Sequence, residues 1–406
     1  MKICILISQL YSENMLVPTE VEGYTYLNKL GFEIHWVAIT SSNSKKVIRN
    51  ETVVHLIRYP FGSRSNNLLI KILREIVYTI YRGFMVYNLC KKEKYNALII
   101  RDNIFDSITA TILRKKINFK CIFQLSNPLG QEWEAYKIEK KKPLVLFYLI
   151  AGFKRRMYRL LFKRTDLILA TSKWAAEDFI SNGASIKQVM VSPTGISRQR
   201  FETLTPSNIK MIKPKGKRVI IYVGVVAKSR KLEVLIEAFK RLLSIRDDVI
   251  LLIVGTGNAF EDLKVLVQTL GLSENVVFTG EVKQNEVPYY LNMADVTVCP
   301  IPPFSFYKMS SPAKLFEYMA MGKPVVANVE IPEHKEVIEQ SGGGLLVQYT
   351  PDAFARGILT LLNDEQMARE LGNKGRNWVL CNRTYDILAV KLKERLQTLI
   401  QNEDAT

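Results

Sequence analysis

Short apolar segments that end in glycine or a small polar residue recur along the chain, and they constrain its fold more than any other feature. Residues 2–7 form a nearly continuous apolar run, which is typical of a strand buried on both faces of a parallel sheet. Helix-like stretches separate it from similar runs at 34–39, 97–101, 121–125 and 167–170. This alternation predicts a doubly wound α/β domain whose ligands gather at the carboxyl ends of the strands.

The same pattern restarts in the second half, after a stretch with the composition of a linker. Residues 204–217 contain two prolines, several lysines and little apolar content. Strand-like runs then follow at 218–224, 249–255, 276–280, 295–300 and 325–326. We therefore expect an α/β fold of two Rossmann-like domains facing a cleft, 1–203 and 218–383. A C-terminal helix within 384–406 is expected to pack back on the first domain.

The net charge of +18 is unevenly distributed along the chain. Residues 1–205 contain 32 Lys/Arg against 16 Asp/Glu, a difference of +16, whereas residues 206–406 contain 25 against 23, a difference of +2. A basic excess of this size bears on partners and not on fold, so the N-terminal half is expected to meet an anionic partner.

Two segments of this basic half combine apolar and cationic residues. Residues 67–95 mix Ile, Leu, Tyr and Phe with Lys and Arg, and residues 137–164 hold ten Lys/Arg, one acidic residue and a short apolar core. The core falls short of the ~20 residues that span a bilayer. The pattern favours an amphipathic element on an anionic membrane surface, with a core helix that has a solvated basic face as the alternative. Nucleic acid is not expected as a partner, because no recognition motif accompanies the charge.

Residue types suited to metal or disulfide chemistry are sparse. The five cysteines lack paired spacing, the three histidines do not cluster, and Asp-x-Asp does not occur. We expect no metal site, no cofactor and no disulfide framework, in a reducing compartment. No leader peptide or membrane-spanning run is recognisable, which predicts a cytoplasmic protein that is peripheral on the cytoplasmic face of a membrane.

Glycines and cations at strand ends of the second half form a candidate phosphate site. Gly255 and Gly257 follow a strand-like run, but the third glycine and the acidic residue of a dinucleotide fingerprint are missing. Gly224, Lys228 and Arg230 follow another such run. This set of residues suits a phosphorylated ligand that is bound by electrostatics without metal.

Residues 305–329 predict a short helix with marked ends, followed by a strand. Ser310 and Ser311 are expected to cap the helix start, and Pro312 suits the first turn because its missing N–H costs nothing there. Gly322 stands where a left-handed residue is expected after the helix.

The first turn of this helix carries a cation. Lys314 adds its ammonium to the free amides and the dipole of the helix start, and Glu317 lies three residues later on nearly the same face. A nucleotide diphosphate fits this arrangement, with the carboxylate placed for sugar hydroxyls. The alternative is a capped surface helix with a Lys314–Glu317 ion pair.

Several motifs resemble those of the family 4 glycosyltransferases, which are group 1 glycosyl transferases, in a branch with an SPxKLFEY motif. The resemblance implies a GT-B type fold of two Rossmann-like domains, with a nucleotide-sugar donor held mainly by the second. It also implies retention of anomeric configuration and no metal. The matching segments lie at 165–172, 192–201, 222–238, 254–257, 278–282, 294–300 and 315–326.

The resemblance also implies roles for individual residues. Glu317 occupies the second glutamate of the family's E-x7-E motif and is expected to hydrogen-bond the donor ribose. The amides of Ala313 and Lys314 are expected to meet the diphosphate, and the main chain near Val282 the base. Arg230 stands where the family has the lysine of a phosphate clamp. The expected catalytic residues are Arg230, Lys228 and Glu317, and the expected donor-binding residues are Gly224, Gly255, Gly257, Val282, Ser310, Ser311, Ala313, Lys314 and Glu317.

Two positions depart from the family pattern. Met309 stands where the first glutamate of E-x7-E is expected, and Val225 where the clamp arginine is expected. Lys228 and Lys314 are expected to replace the lost cation, with a solvated loop lysine as the alternative role for Lys228.

The combined expectation is a glycosyltransferase that moves a sugar from a nucleotide diphosphate sugar, such as a UDP-sugar, to a lipid-linked or polysaccharide acceptor. A non-catalytic nucleotide-sugar-binding protein and a nucleotide-sugar epimerase are the alternatives. The acceptor and the anionic membrane surface are expected at Arg101, Asn127, Lys154, Arg155 and Arg156.

Overall fold

The computed structural model describes residues 1–10, 18–49, 52–59, 68–126, 144–202 and 213–401. These residues form two compact units. The first holds the described parts of Met1–Gly130, Val145–Pro193 and Leu388–Thr406, and the second those of Gln131–Leu144 and Thr194–Ile387. The predicted α/β fold with two Rossmann-like units is confirmed, because helices alternate with strands of a mainly parallel sheet in each.

The first unit contains an eight-stranded sheet in the order β3-β4-β2-β1-β5-β6-β7-β8, in which β3 and β4 alone pair antiparallel. The strands are β1 (Lys2–Leu10), β2 (Glu33–Thr40), β3 (Lys46–Arg49), β4 (Thr52–Arg58), β5 (Ala97–Arg101), β6 (Lys120–Leu125), β7 (Leu167–Ala170) and β8 (Val189–Val191). The helices are α1 (Pro18–Lys29), α2 (Leu68–Glu93), α3 (Ile104–Leu113), α4 (Leu144–Phe162) and α5 (Lys173–Ser181).

The second unit contains a six-stranded parallel sheet in the order β11-β10-β9-β12-β13-β14. The strands are β9 (Arg218–Val223), β10 (Val249–Val254), β11 (Val276–Gly280), β12 (Val296–Cys299), β13 (Val325–Asn328) and β14 (Gly344–Val347). The helices are α6 (Arg198–Glu202), α7 (Glu233–Leu243), α8 (Phe260–Thr269), α9 (Val287–Asn292), α10 (Ser305–Lys308), α11 (Ala313–Ala320), α12 (Pro332–Ser341), α13 (Pro351–Asn363) and α14 (Glu365–Asn382). The last helix, α15 (Tyr385–Gln401), begins in the second unit and belongs to the first unit from Leu388 onwards.

Burial on both faces explains why the central strands read as apolar runs. Every residue of β7 and of β12 is buried. The last helix contributes to the core of the first unit, where Leu392 and Leu396 of α15 pack in one cluster with Ile3 and Trp36. Four of the strands were not predicted from the sequence, namely β3, β4, β8 and β14.

The second unit begins at Thr194, ahead of the expected linker. The Ile196 N–H donates to the Arg383 carbonyl at 2.8 Å, and the Tyr385 N–H donates to the Ile196 carbonyl at 3.0 Å. These bonds attach the segment after Pro193 to the end of α14. Residues 203–212, which include most of the expected linker, lie outside the described residues.

Candidate functional site

The carboxyl ends of β9, β10 and β11 bring three glycine-containing turns to one edge of the sheet in the second unit. The Gly224 N–H donates to the Val254 carbonyl at 2.9 Å, and the Gly255 N–H donates to the Gly280 carbonyl at 3.0 Å. In doubly wound sheets this edge is where ligands bind. The structure therefore gathers the glycines at the edge where the sequence predicts a ligand.

Gly255 and Gly257 allow two backbone segments to approach each other closely. A Cβ atom at Gly255 would lie 2.1 Å from the Gly224 oxygen, and one at Gly257 would lie 2.3 Å from the Val226 oxygen. Gly255 also has a φ of 135°, which other residues rarely adopt. The two glycines thus let the turn after β10 pack directly against the turn after β9. They therefore influence a ligand through the shape of this edge of the sheet.

Helix α11 is a buried element that begins at the same edge. Its residues 315–320 are all buried, so the alternative of a surface helix is wrong. Gly322 has a φ of 65° and follows the helix as predicted, with the Lys323 N–H donating to the Tyr318 carbonyl at 3.1 Å.

The predicted serine cap of α11 is wrong. Pro312 occupies the N-cap position, and no side chain caps it. Ser310 Oγ instead donates to the Tyr307 carbonyl at 2.7 Å. Ser311 Oγ accepts from the Thr194 N–H at 3.2 Å and lies 3.2 Å from Glu333 Oε1. Both hydroxyls therefore find partners outside the helix, because tertiary contacts compete with capping.

Lys314 joins the first turn of α11 to the end of β9. Its Nζ donates to Tyr222 Oη at 2.9 Å and lies 4.1 Å from the centre of the Tyr222 ring. A Cβ atom at Gly224 would come within 3.0 Å of the same Nζ. The ammonium group is therefore held beside the Gly224 turn, and these contacts replace the Lys314–Glu317 ion pair of the alternative interpretation.

Glu317 lies one turn further along α11 and is 5% exposed. Its Oε1 accepts from Arg200 Nη2 at 3.1 Å and from Gln284 Nε2 at 3.3 Å. Burial raises the pKa of the Glu317 carboxyl, and the positive charges of Arg200 and Lys314 oppose that rise. The carboxylate is thus placed between two cations close to the edge of the sheet.

Arg200 was not among the residues predicted from the sequence, and it has unused donors. Within the part of the chain that the structure describes, its Nε and Nη1 are buried without a hydrogen-bond partner. Buried donors are almost always paired in folded proteins, so this pattern favours an oxygen-rich ligand nearby. Arg200 is 117 residues from Glu317 in sequence, and no local pattern indicates that the two meet.

The two cations after β9 lie in different surroundings. Arg230 stacks over the Tyr307 ring, with 4.4 Å between its guanidinium carbon and the ring centre. Lys228 Nζ pairs with Asp262 at 2.8 Å, and its backbone N–H donates to Asn258 Oδ1. Arg230 is therefore held by the aromatic residues before α11, whereas Lys228 points towards α8. This ion pair weakens the proposed use of Lys228 as a substitute for the clamp arginine.

Val282 and Ala313 keep positions that suit main-chain contacts. Val282 follows β11 and packs against the apolar core of the unit, two residues before Gln284. Ala313 is the first residue of α11. Met309 ends α10, and Val225 is 59% exposed on the β9 turn, so neither position supplies the charge found elsewhere in the family pattern.

A second buried carboxylate lies beneath the start of α11. Glu333 Oε1 accepts from Arg383 Nη2 at 2.8 Å. Burial raises the pKa of the Glu333 carboxyl to about 7, against the opposing charge of Arg383. Ser311 is thereby tied to a network that includes Thr194, Glu333 and Arg383, all within the second unit.

The residues expected on the acceptor and membrane side lie in the first unit. Arg101 ends β5 and is half-buried, and Asn127 lies outside the described residues. On α4, Arg156 is exposed, Lys154 is half-buried, and Arg155 Nε donates to Asn182 Oδ1 at 2.6 Å. Of the three α4 cations, Arg155 therefore already uses one of its donors in a hydrogen bond within the protein.

Comparison with known proteins identifies the family of the second unit. Residues 207–378 match the family described as glycosyl transferases group 1. An uncharacterised glycosyltransferase of Methanocaldococcus jannaschii is 24% identical over 318 residues, or 78% of each chain. A GDP-mannose-dependent α-(1-6)-phosphatidylinositol monomannoside mannosyltransferase of Mycobacterium tuberculosis is 26% identical over 239 residues, which cover 57% of this chain and 62% of that protein.

Solved structures show the same fold over almost the whole chain. The Anabaena protein HepE, in complex with UDP, superposes with a TM-score of 0.72 at 16% identity and covers 98% of this chain and 100% of its own. The fold is therefore the GT-B type of glycosyltransferases. Over residues 207–378 this chain matches the group 1 glycosyl transferases, and it is a glycosyltransferase.

Proposed function

We propose that this glycosyltransferase transfers a sugar from a UDP-sugar to a lipid-linked or polysaccharide acceptor, with retention of configuration and without a metal ion. One observation carries the proposal. At a single edge of the second sheet, the start of α11 and the Lys314 ammonium lie beside the Gly224 turn, with the Glu317–Arg200 pair one turn further in.

The diphosphate would bind at the start of α11. The first amides of an eight-residue helix and the Lys314 ammonium supply donors and positive charge at the same point. Ser310 and Ser311 contribute to this region by holding the loop before the helix, since their hydroxyls are engaged with Tyr307, Thr194 and Glu333.

The ribose would bind at Glu317. A carboxylate that already accepts from Arg200 and Gln284 has a fixed orientation, which suits recognition of two neighbouring hydroxyls. The unpaired donors of Arg200 add capacity for ligand oxygen atoms in the same place. Gln284 connects this carboxylate to the chain near Val282, where the base is expected.

Catalysis would depend on positive charge at the leaving group. Negative charge develops on the departing diphosphate in the transition state, and preorganised cations stabilise it strongly. Lys314 and Arg230 are held in place by Tyr222 and Tyr307, so they need little reorganisation during the reaction. In a front-face reaction the donor phosphate accepts the proton of the acceptor hydroxyl, which accounts for retention without a pair of protein carboxylates.

The acceptor would be delivered at a membrane surface by α2. Its exposed apolar residues recur at spacings of three or four, with Leu73 62%, Ile76 50%, Ile80 69% and Phe84 62% exposed. Lys91 and Lys92 end the same helix and are exposed. No helix within the described residues is long and apolar enough to cross a membrane. An apolar stripe with adjacent cations suits the interface of an anionic bilayer.

Two relatives support a lipid acceptor, and the UDP complex of HepE supports UDP-sugars as the first donors to test, beside the GDP-mannose on which the mycobacterial relative depends. The mycobacterial relative acts on a phosphatidylinositol mannoside, and HepE binds UDP. A relative from Streptococcus pneumoniae, 24% identical over 194 residues, is an α-monoglucosyldiacylglycerol synthase.

The experiment is a donor panel with the purified chain and anionic lipid vesicles that contain extracted glycolipid acceptors. We expect UDP release together with a glycosylated product of α-configuration from an α-linked donor, unchanged by EDTA. Isomerised donor without an acceptor product would indicate the epimerase, and binding without turnover of any donor would contradict the transferase proposal.

A further inference from the structure

A basic cavity of about 710 Å³ lies in the first unit, away from the edge where the acceptor is expected. It is bordered by the end of α2, by the segment that precedes β6 and by Ile400 of α15.

The cavity lies at the amino ends of the parallel strands. Asn96 immediately precedes β5, and Lys120 begins β6. The Asn96 side chain also accepts from the Lys2 N–H at the start of β1. A strand of five residues is about 16 Å long, which separates this edge from the carboxyl ends where ligands of such sheets react. The cavity is therefore distinct from the predicted acceptor site.

The charge of the cavity is uniformly positive. Four lysines are among the described residues that line it, and no acidic residue is. The nearest carboxylates in sequence are already engaged, since Lys2 Nζ lies 2.6 Å from Glu93 and 3.0 Å from Glu33. Several like charges that border one cavity favour the entry of an anion.

The remaining walls suit the organic part of a ligand. Tyr87, Phe119, Ile117 and Ile400 supply aromatic and aliphatic surface. A volume of this size lies within the range of about 300–1,000 Å³ that is usual for small-molecule sites. A basic side and an apolar side together suit a molecule that carries a phosphate group on an organic body.

We propose that this cavity binds a phosphate-bearing ligand, a phosphate monoester or diphosphate, at a second site separate from the nucleotide-sugar site. The lysine ammonium groups act as point charges for the phosphate oxygens. The phosphate can belong to a soluble metabolite or to a lipid headgroup, and the test separates these sources.

The test compares two charge-matched variants of the full chain. Lys94→Gln/Lys116→Gln removes two lining lysines, and Lys45→Gln/Lys115→Gln removes two exposed lysines of the same unit that do not line the cavity. Each is titrated with pyrophosphate in the presence of saturating UDP, which occupies the proposed diphosphate site at α11. Each is also titrated with phosphatidylglycerol vesicles, and UDP binding is measured separately. We expect the first variant to lose at least tenfold in affinity for one of these two probes, while the control and UDP binding stay within twofold.

A loss of affinity for pyrophosphate alone would identify a soluble phosphate ligand, and a loss of affinity for the vesicles alone would identify a lipid phosphate. Equal losses in the two variants, or no loss in either, overturn the proposal, because the lysines then act only through general surface charge. Both variants change exposed side chains, so their melting temperatures should match that of the wild type.

Discussion

At the scale of single residues, the site depends on a buried carboxylate held between cations. Glu317 is 5% exposed, and Arg200 supplies a guanidinium at 3.1 Å. A buried ion pair adds little when compared with apolar residues of the same size, but removal of one partner leaves an uncompensated charge. Replacement of one partner alone should therefore destabilise the protein strongly, whereas replacement of both partners together should destabilise it less.

Arg200→Met should destabilise the protein by about 3–5 kcal/mol, because the Glu317 carboxylate then stays buried without its guanidinium. The double variant Arg200→Met/Glu317→Gln should recover part of this loss, as measured by urea unfolding. Arg198→Met is the control, since Arg198 is 38% exposed on the same helix, and it should cost at most about 1 kcal/mol. If the double variant is no more stable than Arg200→Met, the two residues are not coupled and this prediction is wrong.

Glu333 should make stability fall as pH rises towards neutrality. Its pKa is about 7 in the folded protein, against 4.5 for the ordinary group, so the folded state binds more protons between these values. The unfolding free energy should therefore decrease from about pH 4.5 to about pH 7. Relative to the wild type, Glu333→Gln should gain stability between pH 5 and pH 8 in urea titrations. A pH-independent difference would contradict this assignment.

At the scale of elements, α2 and α11 have opposite environments. The α11 face from 315 to 320 is buried, and Tyr318 Oη accepts from the Val223 N–H at 2.8 Å, which fixes the helix to β9. Helix α2 instead leaves Leu73, Ile80 and Phe84 exposed. A rigid helix start suits a catalytic site, whereas an exposed apolar stripe suits a surface partner.

Loss of the α2 stripe should reduce membrane binding. Leu73→Ser/Ile80→Ser/Phe84→Ser should lower flotation with phosphatidylglycerol vesicles at least tenfold, because each apolar side chain contributes about 1.5–3 kcal/mol when fully buried. The control changes three exposed apolar residues at scattered positions, Ile112, Ile245 and Val265, to serine. Equal flotation of the two variants would reject a membrane role for α2 and leave a protein partner for this surface.

At the scale of the whole molecule, the sequence predicts the parts of the fold that depend on local pattern. Strands β7 and β11 match their predicted bounds, because burial on both faces produces continuous apolar runs. Strands β3 and β8 have only four and three residues, too few for a reliable pattern.

Contacts between distant segments were not predictable in the same way. The serine cap failed because Ser311 meets Thr194 and Glu333, and the Arg200–Glu317 pair joins residues 117 apart. The motifs located the site, but which side chains meet there depends on tertiary packing.

In the proposed function, the start of α11 binds and activates the diphosphate of a UDP-sugar. The direct test is the rate of UDP release with the best donor for the wild type, Lys314→Gln and Lys308→Gln. Lys308 is an exposed lysine of α10, so its variant controls for net charge. Lys314→Gln should lower the rate of UDP release about 100-fold, and Lys308→Gln should lower it less than twofold. Equal rates in the two variants would contradict this proposal.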